Sequence, residues 1–243
     1  MDYNFLKNAH IAGLHKEEIT VGEKCGSGDL NRMMQQATET AMGRLGVSIE
    51  ELQKEQLLWV ICFSQIEIFR MPKAGESISV YTWPGAEKMG MFTRKYVFFT
   101  QNGEELVNAS SLFSLANQET RTMVLPSEAG FIFPVVQLAG EPKVPKLTAR
   151  GSEGEGEKVH LVIEDEIDHN GHVNNAFYLD WAQDIIVAGK PELSDQVRNI
   201  WIGYSKEVLK DDSVVMKYSL DTDGLFLRGY VNNESCFTIK CSL

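Results

Sequence analysis

The sequence predicts an α+β fold built from two tandem repeats, each with a long central helix wrapped by an antiparallel sheet. Two observations lead to this prediction. In each half of the chain, apolar residues recur first with the 3.6-residue period of a helix and then with the two-residue period of strands. The order of strand, helix and several strands also occurs twice. A repeat of this length is too long for a solenoid unit, so it indicates a duplicated domain.

The first repeat is predicted to open with a strand over residues 17–24, followed by a helix that begins near Asp29. Apolar side chains recur along one face of this helix: Leu30, Met33, Met34, Ala37, Ala41 and Leu45. Gly46 marks the end of the helix, because glycine readily adopts the left-handed conformation that follows a C-cap. Ser48 and Glu51 match a capping box and predict a further short turn of helix.

The second repeat is predicted to begin with a strand over residues 158–167 and to continue with a helix over residues 173–188. Four apolar side chains recur every four residues along this helix: Val173, Phe177, Trp181 and Ile185. Gly189 closes the helix. Asn174 is expected to cap its N-terminus, because an asparagine side chain can accept one of the unpaired N–H groups of the first turn.

Runs of β-branched and aromatic residues follow each helix and predict antiparallel strands. These runs cover residues 57–70, 76–83, 91–101 and 104–117 in the first half, and 197–207, 212–221, 224–232 and 234–242 in the second. Asn102-Gly103 and Asp223-Gly224 favour hairpin turns. A long apolar helix needs cover from such a sheet, and edge-to-edge pairing of the two sheets would protect their open edges. This is the outline of a double hot-dog fold.

Three polar residues just before the second helix suggest a reaction centre. Asp168, Asn170 and His172 occupy alternate positions, so their side chains would share one face if the backbone is extended. The N–H groups of the following helical turn could stabilise developing negative charge. The alternative is structural, with Asp168 and Asn170 as turn formers around Gly171 and His172 as a polar residue at the start of the helix.

An overlay of the two halves suggests a division of labour between them. It aligns Gly28 with Gly171, and the positions of the polar trio are then occupied by Cys25, Ser27 and Asp29. The first repeat instead has methionines on its helix, including Met33 and Met34. They could be plain core residues, but their flexible apolar side chains would also suit a long aliphatic ligand. We therefore expect the chemistry in the second repeat and a ligand tail in the first.

Composition narrows the possible classes of protein. The formal net charge is −11 and the pI is near 5.0, which argues against nucleic-acid binding and adsorption to anionic membranes. The four cysteines show no metal-ligand spacing with histidine, and no nucleotide fingerprint occurs, so no metal and no cofactor is expected. The N-terminal segment lacks signal-peptide character, and the longest apolar run, over residues 57–63, is too short to span a bilayer. A reducing, cytoplasmic location is expected.

The domain boundaries follow from these elements. We assign residues 1–136 to the first repeat and residues 158–243 to the second. The segment 137–157 between them contains Pro142, Pro145 and a run that alternates glycine with glutamate, Gly154-Glu-Gly-Glu157. This composition favours an exposed, flexible linker.

The central motif resembles that of a known enzyme family. The pattern G-H-V-N-N-x-x-Y-x-x-W, over Gly171 to Trp181, resembles the hot-dog thioesterase signature, and D-x-N-x-H-V-N-N is similar to the acyl-acyl-carrier-protein (acyl-ACP) thioesterases of the plant and bacterial type. The segment Tyr204 to Glu207 resembles that family's Y-x-x-E element. The resemblance implies hydrolysis of fatty acyl-ACP, with four catalytic residues: Asp168, Asn170, His172 and Glu207. Val208 stands where plant members commonly have a cysteine, so a cysteine nucleophile has no support.

Thioester hydrolysis needs an activated water, an acid for the departing thiol and donors for the oxyanion. Glu207 or His172 could take the proton from water, and Asn170 could position the water or the carbonyl. N–H groups between Val173 and Asn175 could stabilise the oxyanion. Asp168 could orient His172, or it could itself attack the thioester as a nucleophile. These alternatives stay open at the level of sequence.

The implied substrate determines the remaining expectations. Contacts with the acyl group are expected from Met33, Met34, Trp59, Asn174 and Asn175, and the partner would be acyl carrier protein. A basic docking patch for this acidic partner could include Lys206, Lys210, Arg198, Arg228 and Lys240. The competing functions are an acyl-CoA thioesterase on the same scaffold and a non-catalytic acyl-binding or dehydratase-like module. Two fused repeats already form the pair that single-domain relatives form as dimers, so a monomer or a homodimer is expected.

Overall fold

A computed structural model describes residues 13–131, 134–138 and 140–243 of the chain. The first half contains β1 (His15–Thr20), α1 (Ser27–Arg44), α2 (Ile49–Lys54), β2 (Leu57–Ile68), β3 (Ser77–Lys88), β4 (Met91–Thr100), β5 (Glu105–Asn117) and β6 (Met123–Val124). The second half contains β7 (Gly156–Leu161), α3 (Phe177–Gly189), β8 (Asn199–Tyr204), β9 (Ser213–Leu220), β10 (Gly224–Val231) and β11 (Glu234–Ser242). The expectation about an N-terminal targeting segment falls largely on residues 1–12, which lie outside the described residues.

All described strands belong to one antiparallel sheet with the order β1-β3-β4-β5-β2-β8-β11-β10-β9-β7, and β6 pairs with β5. The order within the first half, β1-β3-β4-β5-β2, is reproduced strand for strand in the second as β7-β9-β10-β11-β8. The halves meet where β2 and β8 pair, from Phe63 opposite Gly203 to Glu67 opposite Asn199. Each half has one long helix, so the predicted α+β fold of two tandem repeats is confirmed.

One hydrophobic core joins the two halves. It includes Leu30 of α1, Ile66 of β2, Trp181 of α3 and Ile202 of β8, all of them almost completely buried. Because helices and strands of both repeats contribute to this cluster, neither repeat has a separate main core. Burial of apolar surface across the junction is therefore expected to stabilise both repeats together.

The first turns of α1 and α3 pack closely against each other. A Cβ at Gly28 would lie 2.0 Å from a carboxylate oxygen of Asp180, so a larger residue there would displace that carboxylate. The backbone N–H of Ser27 donates to Oε1 of Gln183 at 2.8 Å, and Arg32 forms an ion pair with Asp180. These contacts fix the start of one helix against the start of the other.

The segment between the repeats differs from the predicted exposed, flexible linker. Residues 140–155, here called the strap, are hydrogen-bonded across the outer side of the sheet. Lys95 of β4 donates to the carbonyl of Pro142, and Nε1 of Trp201 in β8 donates to the carbonyl of Lys146 at 2.7 Å. Further along, Arg228 of β10 pairs with Glu153 at 2.9 Å. Side-chain donors of the sheet thus satisfy strap carbonyls, which composition alone does not reveal.

Candidate active site

The predicted polar trio lies on a tight turn between Ile167 and Val173, here called the His172 turn. The N–H of Asp168 donates to the carbonyl of His172 at 2.8 Å, and the N–H of Gly171 donates to the carbonyl of Asp168 at 3.0 Å. Gly171 has a φ of +82°, which favours glycine. This is the three-residue hairpin loop with a left-handed glycine. The backbone is therefore not extended here, and the turn around Gly171 that the structural alternative describes is present.

The Asp168 carboxylate binds the backbone of this turn. Its Oδ1 accepts the N–H of Asn170 at 2.8 Å and the N–H of His172 at 3.5 Å. In the described part of the chain, no hydrogen bond joins Asp168 to the imidazole of His172, and the Asn170 side chain is exposed. Asp168 thus fixes the backbone that carries His172, and the ring itself is held by another residue.

That residue is Glu207. Nε2 of His172 lies 3.1 Å from Oε2 of Glu207, and the two side chains are 26% and 49% exposed, so solvent reaches both. The chain near Glu207 is joined to the His172 turn by its backbone. The N–H of Val173 donates to the carbonyl of Val208 at 2.9 Å, and His172 forms a β-bridge with Leu209. Backbone pairing therefore brings the imidazole and the carboxylate together.

The first repeat adds a cation to this pair. Nη1 of Arg121 lies 3.1 Å from Oε1 of Glu207. Arg121 belongs to the turn between β5 and β6, where its N–H donates to the carbonyl of Asn117 at 2.9 Å. The Asn117 side chain in turn accepts the N–H groups of Glu119 and Thr120, which orders the turn. Sequence reasoning missed Arg121, because its contact with Glu207 joins residues 86 positions apart and no local motif marks it.

The backbone donors of the site are fewer than predicted. Of the three N–H groups between Val173 and Asn175, that of Val173 donates to Val208 and that of Asn174 donates to the carbonyl of Glu166 at 2.9 Å. Only the N–H of Asn175 has no hydrogen-bond partner among the described residues. Regular helix begins at Phe177, later than predicted, but the Asn174 side chain still accepts the N–H of Ala176 at 2.9 Å. The capping interaction is present ahead of the assigned helix.

A buried polar contact between the repeats holds the backbone at Asn175. Nδ2 of Asn31, on α1, lies 3.3 Å from both the carbonyl of Asn175 and the hydroxyl of Tyr204. The Tyr204 hydroxyl lies 3.4 Å from the same carbonyl. Burial raises the pKa of Tyr204, so its hydroxyl stays protonated as a donor. The first repeat thus supports the one backbone donor that the described site leaves unpaired.

Glu166 supports the His172 turn through hydrogen bonds of its carboxylate and its backbone carbonyl. Its carboxylate accepts hydrogen bonds from His160 at 2.9 Å, from Nε1 of Trp181 at 2.9 Å and from the N–H of Ile163 at 3.0 Å. Burial alone would raise the pKa of this carboxyl group, but these hydrogen bonds outweigh burial and the net pKa is lowered. Its backbone carbonyl also accepts the N–H of Asn174. Glu166 therefore links the turn to α3 and β7.

The three apolar residues predicted to contact the acyl chain lie in two places. Met33 and Met34 are buried in the core that the two repeats share. Trp59 lines a pocket of about 260 Å³ within the first repeat, together with Met42, Phe92, Arg94, Phe113 and Phe131 among others. Of the described residues, Met33 and Met34 are not in the lining of this pocket. Met42, on the same helix, lines the pocket instead of them.

The residues of the predicted basic patch already have partners. Lys206 pairs with Glu234, Lys210 with Glu164, and Arg228 with Glu153. Nζ of Lys240 donates to the carbonyl of Arg150 at 2.9 Å, and Arg198 binds backbone carbonyls next to it. Exposed pairs of this kind are weak and can exchange partners.

The described residues provide little support for catalysis by a cysteine or by a metal ion. Burial raises the pKa of Cys25 and of Cys241 to about 12, which disfavours the reactive thiolate at either position. Within the described ranges, no group of three or more histidine, cysteine, aspartate or glutamate side chains is arranged to hold a metal ion. No helix in those ranges is long and apolar enough to cross a bilayer.

Solved structures with the same fold agree over almost the whole chain. An acyl-ACP thioesterase from Bacteroides thetaiotaomicron superposes with a TM-score of 0.81 at 18% identity, covering 94% of this chain and 97% of that one. The 12:0-ACP thioesterase from Umbellularia californica gives a TM-score of 0.76 at 20% identity, covering 94% and 96%. At these identities the likeness shows the fold.

Sequence comparisons show the family. The chain is 27% identical over 186 residues to the chloroplastic acyl-[acyl-carrier-protein] hydrolase FATB2 of Cuphea viscosissima, which covers 72% of this chain and 44% of that protein. The chain therefore spans about half the length of the curated relatives it matches. The family models for the acyl-ACP thioesterase N-terminal and C-terminal domains match residues 14–128 and 152–237. With both domain models matched in order, the chain belongs to the acyl-ACP thioesterase family.

Proposed function

We propose that this chain hydrolyses the thioester of a fatty acyl group carried by acyl carrier protein and releases the free fatty acid. The observation that carries the proposal is the 3.1 Å contact between His172 and Glu207. Asn175, three residues after His172, has an N–H with no hydrogen-bond partner among the described residues. We infer that the pair supplies a base and that this N–H supplies an oxyanion donor. The names of the relatives, which are acyl-ACP hydrolases and thioesterases, support the same substrate.

In the proposed mechanism His172 is the general base. Its Nε2 lies 3.1 Å from Oε2 of Glu207, so Nδ1 is the nitrogen that would accept a proton from water. Glu207 is the weaker candidate for this role, because its two oxygens already face His172 and Arg121. Its carboxylate would orient the imidazole and stabilise the imidazolium, as the third member of a triad does. Asp168 is less suited than an activated water to attack the thioester, because its Oδ1 already accepts two backbone N–H groups.

The proposed hydrolysis has two steps, the addition of water and the collapse of the tetrahedral intermediate. The water oxygen attacks the thioester carbon, and its proton moves to Nδ1 of His172. The tetrahedral oxyanion accepts a hydrogen bond from the N–H of Asn175, a type of contact that contributes about 3 kcal/mol in other enzymes. Collapse of this intermediate breaks the carbon–sulfur bond, and His172 returns the proton to the departing thiolate. The products are a fatty acid and the thiol of the carrier.

We further propose a division of labour between the repeats. Residues 1–136 would hold the acyl chain, residues 137–157 would connect the repeats, and residues 158–243 would carry the chemistry. Trp59 is the predicted contact that lines a pocket, and Asn174 and Asn175 would lie beside the thioester. A cytoplasmic location and a monomeric or homodimeric state remain our expectation.

The first test compares matched acyl-ACP and acyl-CoA substrates across a series of chain lengths. We expect kcat/KM to favour the carrier protein strongly, and we expect Glu207→Gln to reduce kcat for both carriers. Equal or faster turnover of acyl-CoA would instead support an acyl-CoA thioesterase. If the folded wild-type protein hydrolyses neither substrate, the enzymatic proposal is wrong and an acyl-binding module becomes the better interpretation.

A further inference from the structure

A buried arginine in the first repeat has no acidic partner among the described residues. Arg94, on β4, is only 3% exposed. Its Nη1 donates to Oγ1 of Thr82 at 3.3 Å, and its Nη2 lies 2.9 Å from the sulfur of Met42. A guanidinium has five N–H donors and keeps its charge in proteins, whereas a hydroxyl and a thioether are weak neutral acceptors. Burial of an uncompensated charge is strongly unfavourable, so this position calls for an explanation.

Arg94 lines the pocket of about 260 Å³ described above. Most of the other lining residues are apolar, among them the aromatic residues Trp59, Phe92, Phe113 and Phe131, and the polar residues Thr93 and Ser127 also line the pocket. Glu87 is also in the lining, but its side chain is exposed and it forms no ion pair with Arg94. A mostly apolar cavity with one buried cation suits a ligand that is apolar along its length and carries one oxygen function.

The neighbouring residue shows how this sheet satisfies a buried cation that has no ligand to bind. Lys95 is 1% exposed and points to the opposite side of β4, where its ammonium group donates to the carbonyl of Pro142 in the strap. The protein thus supplies a strong acceptor for Lys95. Among the described residues, Arg94 at the pocket has only the hydroxyl of Thr82 and the thioether of Met42 as acceptors.

The register of the sheet relates this pocket to the His172 site. Arg94 pairs with Ser111 of β5, and Asn117 at the far end of β5 binds the backbone of Arg121. Asn117 is the sixth residue after Ser111, which corresponds to roughly 20 Å at about 3.3 Å per residue. Val124 of β6, three residues after Arg121, packs in one cluster with the pocket residue Trp59. The distance is comparable with the length of an extended long-chain acyl group.

We propose that this pocket binds the distal part of the acyl chain and that Arg94 binds an oxygen-bearing group at the end of that chain. The preferred substrates would be acyl thioesters with a terminal carboxylate or hydroxyl group. A carboxylate is the stronger ligand, because it neutralises the guanidinium and can accept two parallel hydrogen bonds from it. This inference rests on the proposed thioester hydrolysis, and its second test is independent of turnover.

The first test uses three acyl-ACP substrates of one chain length that end in a methyl, a hydroxymethyl or a carboxyl group. We expect wild-type kcat/KM to be at least tenfold higher for an oxygen-bearing end than for the methyl end, and Arg94→Met to reverse this preference. Arg150→Met makes the same chemical change at an exposed position of the strap and should leave the ratio unchanged. A wild-type preference for the methyl end that persists in Arg94→Met would overturn the proposal.

Direct binding separates this inference from the proposed function. Calorimetry would compare a long-chain primary amide that ends in a carboxylate with one that ends in a methyl group. Wild-type protein should bind the carboxylate-ended amide at least tenfold more tightly, and Arg94→Met should lose this difference even if no thioester is hydrolysed. Equal wild-type affinity for both amides would contradict the site. Should Arg94→Met fail to fold, Arg94→Lys keeps the charge but loses the bidentate geometry and should reduce the preference.

Discussion

The two repeats share the order of their strands but differ at the start of the central helix. In the first repeat, α1 begins at Ser27, and the Asp29 carboxylate accepts the N–H of Gly26 at 2.8 Å. In the second, the residues aligned with this first part of α1 form the His172 turn and the segment before α3, which begins only at Phe177. The second repeat therefore has a shorter helix and an irregular segment at the corresponding place.

This difference indicates what a reaction centre requires of the fold. Regular helix pairs its backbone groups internally, so it leaves few of them for a substrate. The irregular segment before α3 leaves the N–H of Asn175 unpaired among the described residues and brings His172 next to Glu207. The loss of regular helix is tolerated because α1 packs against this segment, with Asn31 bound to the carbonyl of Asn175. One repeat remains regular and thereby supports the irregular one.

The largest expected effect is on kcat, where we compare a change at His172 with the same change at Asp29, the aligned residue of the first repeat. We expect His172→Ala to lower kcat for acyl-ACP by roughly 10²- to 10⁴-fold, the usual contribution of a general base. Asp29 occupies the aligned position in α1, and Asp29→Ala should change kcat by less than about threefold, because its contacts serve helix capping. Steady-state kinetics on both variants measures this contrast. Equal losses in the two variants would mean that the repeats do not divide the chemistry as we propose.

A second contrast concerns the glutamate beneath the His172 turn. Glu166 is 5% exposed and hydrogen-bonded, whereas Glu23, which aligns with it in the first repeat, is exposed. We expect Glu166→Gln to lower the free energy of unfolding at pH 7 by about 1.5–3 kcal/mol, the range for hydrogen bonds to a charged group. Glu23→Gln should leave it unchanged. Urea denaturation of both variants gives the comparison.

The pH dependence of stability tests whether the charge of Glu166 causes this effect. The pKa of Glu166 in the folded protein is lowered, so the carboxylate stabilises the folded state above the ordinary value of 4.5. That contribution is lost as the pH falls through the lower folded pKa. The stability difference between wild type and Glu166→Gln should therefore shrink below about pH 4.5. A difference that stays constant from pH 7 into the acid range would show that the charge of Glu166 is not responsible.

The sequence was sufficient for the fold, and it also singled out His172 and Glu207, whose side chains lie 3.1 Å apart. The change of apolar period after each helix is a regular signal, and it predicted the repeated order of elements. The spacing of Asp168 and Asn170 left their geometry open, because alternate residues share one face only when the backbone is extended, and Gly171 imposes a turn instead. The packed strap was also missed, since its contacts are made by carbonyl groups that every residue type has.

The smallest expected effect concerns the contribution of the first repeat to the chemistry of the second. Arg121 touches Glu207 but is 58% exposed, so solvent weakens the pair. We expect Arg121→Gln to lower kcat by about threefold to tenfold with little change in KM, and Arg121→Lys to restore most of the loss because it keeps the charge. An unchanged kcat in Arg121→Gln would limit Arg121 to a surface contact, and the chemistry would then depend on the second repeat alone.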